Sequence, residues 1–372
     1  MRRDPSDGVK RLSSRVLMIV PSLRSGGTER VASLLCDEWM RQGNEVLLCL
    51  FDGEEAFFKP QVRQVSLAVP AAVSVSKKFS NFVKRVLRLY KLMRLYKPTH
   101  VIAFSEMASF PAIAAAIFSG NISRTIVSVR ANPARRSRVA RCVTRFFFAF
   151  PYRIVGASKG VGDALVELVS TDPERTTAIP NPVSMNRPEV GVAGWGNPSI
   201  LAVGRMVRPK RFDILVEAFA RVQKDSAGAR LRVLGDGEEH SKLVEQVATL
   251  GLNEKIEFPG TTRVVADHLV ACDIFVLSSE SEGWPNALAE ALCVGCAVVA
   301  TDCPFGPNEM IVDGESGLLV PVNDPAALAA AISRLITDPE LRQRLSRGAL
   351  ERAKLWTLES TARRWLDLKQ DF

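Results

Sequence analysis

Eleven short apolar runs, rich in Val, Ile and Leu, punctuate this chain, and stretches with helical spacing separate almost all of them. Strands apolar on both faces need helices on both faces, the arrangement of stacked βαβ units around a parallel sheet. In the first half the runs fall at 16–20, 45–50, 100–104, 125–129, 153–156 and 176–179, with helices expected at 28–42, 77–97, 108–118, 133–150 and 159–169. In the second half the runs are 200–203, 231–234, 255–258, 274–277 and 297–301, with helices expected at 209–224, 238–250, 264–271 and 285–294. The Pro- and Gly-rich stretch 179–198 interrupts the alternation and reads as the linker. Helical patterns at 325–337, 339–354 and 358–369 close the chain. The expectation is an α/β protein with two doubly wound, Rossmann-like domains, 1–186 and 187–355, facing across a cleft at the carboxyl ends of their strands.

A length of 372 residues suits two domains, and 47% hydrophobic with 24% charged residues excludes collagen-like, coiled-coil and generally disordered chains. No run approaches the roughly 18 apolar residues that span a bilayer, and 16–20 is too short for a signal-peptide core, so a cytoplasmic chain is expected. Seven scattered cysteines fit reduced, buried thiols. Cys293, Cys296 and Cys303 lack the closely spaced partner that a four-ligand zinc site needs, so no metal is expected there.

The net charge of +9 is unevenly placed: 1–186 holds 28 Lys/Arg against 14 Asp/Glu, and the remainder 21 against 26. Between Ala56 and Gly162 the sole acid is Glu106, among 19 Lys/Arg. Such a surface attracts anions. Within 77–97, Lys77, Lys84, Arg88 and Lys91 form a basic stripe at 100° per residue, with Phe79, Phe82, Val86, Tyr90 and Met93 expected on the opposite side. A second basic segment, 134–150, places five Arg ahead of a Phe cluster. Both fit an anionic bilayer surface, and a solvated helix face is the alternative for the first.

Several loops carry chemistry. Gly26-Gly27 after the first run would let backbone approach a phosphate at a helix N-terminus, although a Gly pair there also makes an ordinary tight turn. The spacing is not that of a dinucleotide fingerprint, so no nicotinamide cofactor is implied. Gly204, Arg205 and Lys210 follow the first run of the second half, where a guanidinium fork and an ammonium suit a diphosphate, the alternative being that both cations merely cap the surface. Gly235-Asp236-Gly237 forms the next loop, where backbone could meet a nucleoside. Glu282 precedes Gly283, Trp284, Pro285 and Asn286; free N–H groups at this helix start suit a phosphate, Glu282 a sugar hydroxyl, and Glu290 a ribose diol.

Glu282-x7-Glu290, Gly204-Arg205 with Lys210, Gly235-Asp236-Gly237 and Gly26-Gly27 together resemble the retaining glycosyltransferases of family 4, which have the GT-B fold. The resemblance implies that Arg205 and Lys210 hold the donor diphosphate, that Glu282 meets the donor sugar and that Glu290 binds the nucleotide ribose. It also implies that 356–372 is a closing helix that crosses back to the first domain. Segments 128–133, 179–182 and 303–309 resemble bacterial enzymes that use UDP-sugars to build surface polysaccharides or glycans on a polyprenyl-diphosphate carrier. On that reading the acceptor side falls to Glu106 and Arg130, and the basic helix lies on the inner face of the cytoplasmic membrane. Glu106 could instead simply neutralise neighbouring arginines. The mechanism expected is loss of UDP with attack from the same face, without a metal or other cofactor. Two other readings are a nucleic-acid-binding protein, for which no reading module is present, and a nucleotide-sugar-binding homologue without catalysis.

Overall fold

The computed structural model describes residues 13–24, 26–53, 56–71, 74–183 and 198–368. Residues 1–12, most of the expected linker and its 186/187 boundary lie outside these. The first sheet contains β1 (Arg15–Val20), β2 (Glu45–Leu50), β3 (Arg63–Ser66), β4 (His100–Ala103), β5 (Thr125–Val129), β6 (Arg153–Gly156) and β7 (Thr176–Ala178). All its pairings are parallel, in the order β3-β2-β1-β4-β5-β6-β7. Its helices are α1 (Gly27–Arg41), α2 (Val75–Tyr96), α3 (Glu106–Ser119), α4 (Arg138–Phe148) and α5 (Lys159–Val169). The second sheet contains β8 (Ser199–Val203), β9 (Arg230–Leu234), β10 (Ile256–Gly260), β11 (Ile274–Leu277), β12 (Ala297–Thr301) and β13 (Leu318–Val320), also parallel, in the order β10-β9-β8-β11-β12-β13. With it come α6 (Phe212–Asp225), α7 (His240–Thr249), α8 (Val265–Ala271), α9 (Asn286–Val294), α10 (Pro307–Met310), α11 (Pro325–Thr337) and α12 (Pro339–Ala353).

Alternation along β1 divides the first core. Leu17 and Ile19 face the side covered by α2 and α3, whereas Val16, Met18 and Val20 join Leu35 and Trp39 of α1. The last helix, α13 (Leu358–Asp367), docks on the α1 side. Trp365 is fully buried there, Trp39 Nε1 donates to the Ala362 carbonyl (2.8 Å), and His100 Nε2 lies 3.3 Å from the Leu366 carbonyl. The helix α13 therefore crosses back to the first sheet, as expected.

In both sheets the strand order reverses at one point, between β1 and β4 in the first and between β8 and β11 in the second. Ligand crevices form where neighbouring loops diverge in this way. After β1 and β4 the chain brings Gly26-Gly27 and Glu106 to the starts of α1 and α3, and the loops after β8 and β11 carry Arg205 and Glu282.

Several local expectations change. β3 and β13 were not anticipated: each is a short edge strand, and β3 has no apolar run to announce it. The helix expected over 133–150 divides into a 3₁₀ turn, Pro133–Arg135, and α4, because Ser137 caps α4 by accepting from the Ala140 N–H (3.2 Å). The one expected over 209–224 divides at Arg211 (φ 49°), leaving Lys210 in the 3₁₀ turn Arg208–Lys210 ahead of α6. Pro285 stands just before α9, outside its first turn. On α2, Phe82, Val86 and Met93 pack inward, but Phe79 is 72% exposed and Tyr90 also faces out, beside Val83 and Leu87. Phe79, Val83, Leu87 and Tyr90 form a second apolar stripe, which lies between the buried face and the basic one.

Candidate active site

The loop after β8 and the loop after β9 meet through bare backbone. Gly235 has φ 131°, and a Cβ there would stand 1.9 Å from the Gly204 carbonyl oxygen; a Cβ on Gly237 would stand 2.4 Å from that of Met206. The Met206 N–H donates to the Asp236 carbonyl (2.8 Å), and the Asp236 carboxylate accepts from the Gly237 N–H (2.7 Å). These two glycines thus serve loop-to-loop contact in this structure, which holds the Gly204-Arg205 corner in place.

The stem of Lys210 passes over Gly204, and its Nζ lies 2.7 Å from Glu282 Oε1. Glu282 also accepts from Ser279 Oγ (2.6 Å), while Ser278 Oγ donates to the Lys210 carbonyl (2.8 Å) and ties the turn to the end of β11. A cation and a carboxylate from two strand ends are thereby held together, both partly exposed. Burial pushes the nearby Cys303 thiol up to about 12, reinforced by Glu282 and opposed by Lys210, so it stays protonated at neutral pH.

Asn286 opens α9, and Glu290 stands one turn further on the same helix face. Glu290 is buried and forms an ion pair with Arg30 of α1, across the cleft. Burial pushes its carboxyl above the ordinary range, opposed by the charge and hydrogen bond of Arg30. Gly27 lies against Asn286: a Cβ there would come 2.3 Å from Asn286 Nδ2. A Cβ on Gly26 would meet the Glu29 carboxylate at the same distance. Burial raises the Glu29 carboxyl too, opposed by its own backbone N–H and by the charge of Arg205. The structure thus brings Gly26, Gly27, Arg205, Lys210, Glu282, Asn286 and Glu290 into one cleft and adds Glu29 and Arg30 to them.

Other expected residues are placed differently. Trp284 is buried, its ring edge-to-face with Trp356 (5.2 Å, 80°), so its side chain belongs to the second core and not to the cleft wall. Gly283 abuts the first domain, because a Cβ would stand 2.3 Å from the Arg130 carbonyl oxygen. The Arg130 guanidinium bonds to Ser128 Oγ, to the Ile179 carbonyl (3.0 Å) and to Asn181 Oδ1 (2.9 Å), and stacks on Phe104 and Trp365. Asn181 in turn donates to Asn286 Oδ1 (2.7 Å). Arg130 is therefore engaged in the junction of the two domains and α13, with burial pulling its pKa down to about 9. Glu106 is paired with Arg136 and accepts from Thr144 Oγ1 (2.6 Å), the neutralising arrangement that was its alternative reading.

Sequence reasoning gave no role to Arg30, nor to Asn181 and Glu309 individually, although these two lie in the segments 179–182 and 303–309. Arg30 follows Gly27 by three positions and so shares its helix face, a usable signal. Glu309 accepts from the Lys159 and Gly160 N–H groups (2.7 and 2.9 Å) and caps α5 from the other domain, a contact no local pattern announces.

The family model described as Glycosyltransferase Family 4 matches residues 25–187, and that described as Glycosyl transferases group 1 matches 191–352. A Campylobacter jejuni protein named N-acetylgalactosamine-N,N'-diacetylbacillosaminyl-diphospho-undecaprenol 4-alpha-N-acetylgalactosaminyltransferase is 27% identical over 93% of this chain and 96% of its own length. An exopolysaccharide phosphotransferase of Streptomyces coelicolor is 35% identical over 52% of this chain, and that match spans 20% of the relative. Among solved structures, Anabaena HepE in complex with UDP and glucose superposes with a TM-score of 0.82 at 17% identity, over 96% of this chain and 100% of that one, a likeness of fold. With a glycosyltransferase model matching each half and a relative aligned nearly end to end, the chain belongs to the GT-B glycosyltransferases of the family 4 type.

Proposed function

We propose that this glycosyltransferase moves a hexose or N-acetylhexosamine from a UDP-sugar, with retention at the anomeric carbon, to a saccharide carried on a polyprenyl diphosphate. The observation that carries the reading is the Lys210–Glu282 pair at the strand ends, with Arg205 on the same side of the cleft. Lys210 and Arg205 bind the donor diphosphate, helped by the N–H groups at the start of α9. Glu282 accepts from donor-sugar hydroxyls, and Glu290 accepts from the ribose. As the bond from the anomeric carbon to UDP breaks, these fixed donors stabilise the charge on the leaving group. The acceptor oxygen bonds to the carbon from the same face, and its proton passes to a phosphate oxygen of UDP. This route invokes no side-chain nucleophile, metal or other cofactor. The UDP bound to HepE and the diphospho-undecaprenol in the Campylobacter relative's name support the donor and acceptor classes.

The surface of α2 and α4 supports a lipid-borne acceptor. Among the described residues no helix is long and apolar enough to cross a membrane. Phe79, Val83, Leu87 and Tyr90 of α2 are nevertheless exposed beside Lys84, Arg88 and Lys91, and Val139, Val143 and Phe146 (64% exposed) of α4 lie among Arg138 and Arg145. Phe82 and Phe147 join the two helices edge-to-face (6.2 Å). Apolar side chains amid cations fit the inner, anionic face of the cytoplasmic membrane better than nucleic acid, which would use the charges alone. The Phe79→Asp/Phe146→Asp protein should float with anionic vesicles at least about ten-fold less than wild type, while transferring to a short-chain acceptor normally. Equal flotation would remove this face from the reading.

The test of the function is a panel of UDP-sugars with a polyprenyl-diphosphate-linked saccharide in vesicles. The expected result is acceptor-dependent UDP release, one added sugar in the product mass, and an α linkage by NMR from an α-linked donor. Absence of UDP binding by calorimetry would overturn it, and binding without transfer to any acceptor would favour the catalytically inactive homologue.

A further inference from the structure

Glu290 has one side-chain partner among the described residues, and that partner comes from the other domain. Arg30 Nη1 donates to Glu290 Oε1, joining α1 to α9 across 260 positions of sequence. Arg30 remains partly exposed on the cleft side, whereas Glu290 is buried. The pair satisfies a buried carboxylate that would otherwise carry an unpaired charge.

That arrangement conflicts with a bound nucleotide. A ribose presents two neighbouring hydroxyls, and a carboxylate receives such a diol best with both oxygens; here Arg30 Nη1 already occupies one acceptor site on Oε1, so the two compete for that oxygen. We propose that Arg30 is an interdomain latch that competes with the donor's ribose for Glu290 and so sets donor affinity below what the second domain alone would offer. The inference rests on the reading of Glu290 as the ribose carboxylate. With the latch engaged, only the fraction of protein that has released Glu290 is competent to bind, and the apparent dissociation constant rises in inverse proportion to that fraction. Donor binding then breaks one of the ties between the domains, whereas the ties through Asn181–Asn286 and Glu309 remain.

The prediction runs against the ordinary expectation that deleting a cation from a diphosphate-binding cleft weakens binding. Calorimetry with UDP on wild type, Arg30→Met and Arg30→Lys, each checked for an intact cooperative melt, should give a Kd about three- to ten-fold lower for Arg30→Met, with Arg30→Lys between. The same series with 2′,3′-dideoxy-UDP, which has no diol to compete, should show no change. Weaker or unchanged UDP binding in Arg30→Met would overturn the latch, and equal tightening for both ligands would overturn competition at Glu290. If Arg30→Met does not melt cooperatively, the Arg30→Lys protein carries the test, a Kd at or above wild type overturning the proposal. A wild-type protein that binds no UDP would instead strike the proposed function itself.

Discussion

Replacing Lys210 with methionine should lower kcat/KM for sugar transfer about 10²- to 10³-fold, the loss typical of removing one fixed donor from a developing anion. The turn that carries Lys210 is held independently, by Ser278 Oγ on its carbonyl and by its N–H on the Val207 carbonyl (2.9 Å), so the backbone should stay in place. What changes is the charge: Glu282 keeps Ser279 Oγ but loses its ammonium partner. Lys210→Arg should recover only part of the activity, because a planar fork cannot occupy the position of a point donor against both Glu282 and a phosphate. Steady-state kinetics with the preferred UDP-sugar, run beside thermal melts, measure both. A wild-type kcat/KM in Lys210→Met would show that the transferred charge is met elsewhere.

The second large effect concerns stability. Trp365→Ala should cost about 3–5 kcal/mol, as expected for truncating a fully buried tryptophan. The indole packs on Phe104 (5.5 Å, 54°), and the Arg130 guanidinium lies 5.2 Å from its ring and 4.6 Å from that of Phe104. Removing the ring takes away one of two aromatic faces from a buried cation, a contact worth up to about 2 kcal/mol when desolvated. Trp365→Ala and Arg130→Met should therefore be coupled in a double-mutant cycle, with the pair costing less than the sum of the singles. Urea unfolding and limited proteolysis near α13 would measure this. A cost under about 1 kcal/mol would mean that α13 is a dispensable cover.

The interior strands were legible because burial on both faces writes a continuous apolar run, as in β1 after Arg15 and in β11. Two of the four edges were not, β3 and β13, although β7 and β10 were: β3 reads RQVS, and only its pairing with β2 makes it a strand. At the site, Lys210 and Glu282 could be singled out from their loops, whose residue types suit phosphate and hydroxyl binding. Their partners are set by chain segments far away in sequence. Arg30 reaches Glu290, Glu309 reaches α5, and Trp356 takes the ring of Trp284 out of the cleft. Glu106 shows the same limit, since its isolation among cations suggested chemistry, whereas Arg136 and Thr144 occupy it. Residue chemistry was thus readable in the linear order, and long-range pairing was not.

The docking of α13 also bears on how the chain is made. β1 to β7 leave the ribosome well before α13, yet Trp39 Nε1 bonds to that helix and Phe104 packs against its Trp365. About 180 residues separate the two events, roughly ten to forty seconds at ordinary rates of translation. For that interval a nascent first domain lacks the indole that fills this seat, and the apolar site beside Phe104 stays open until α13 is made.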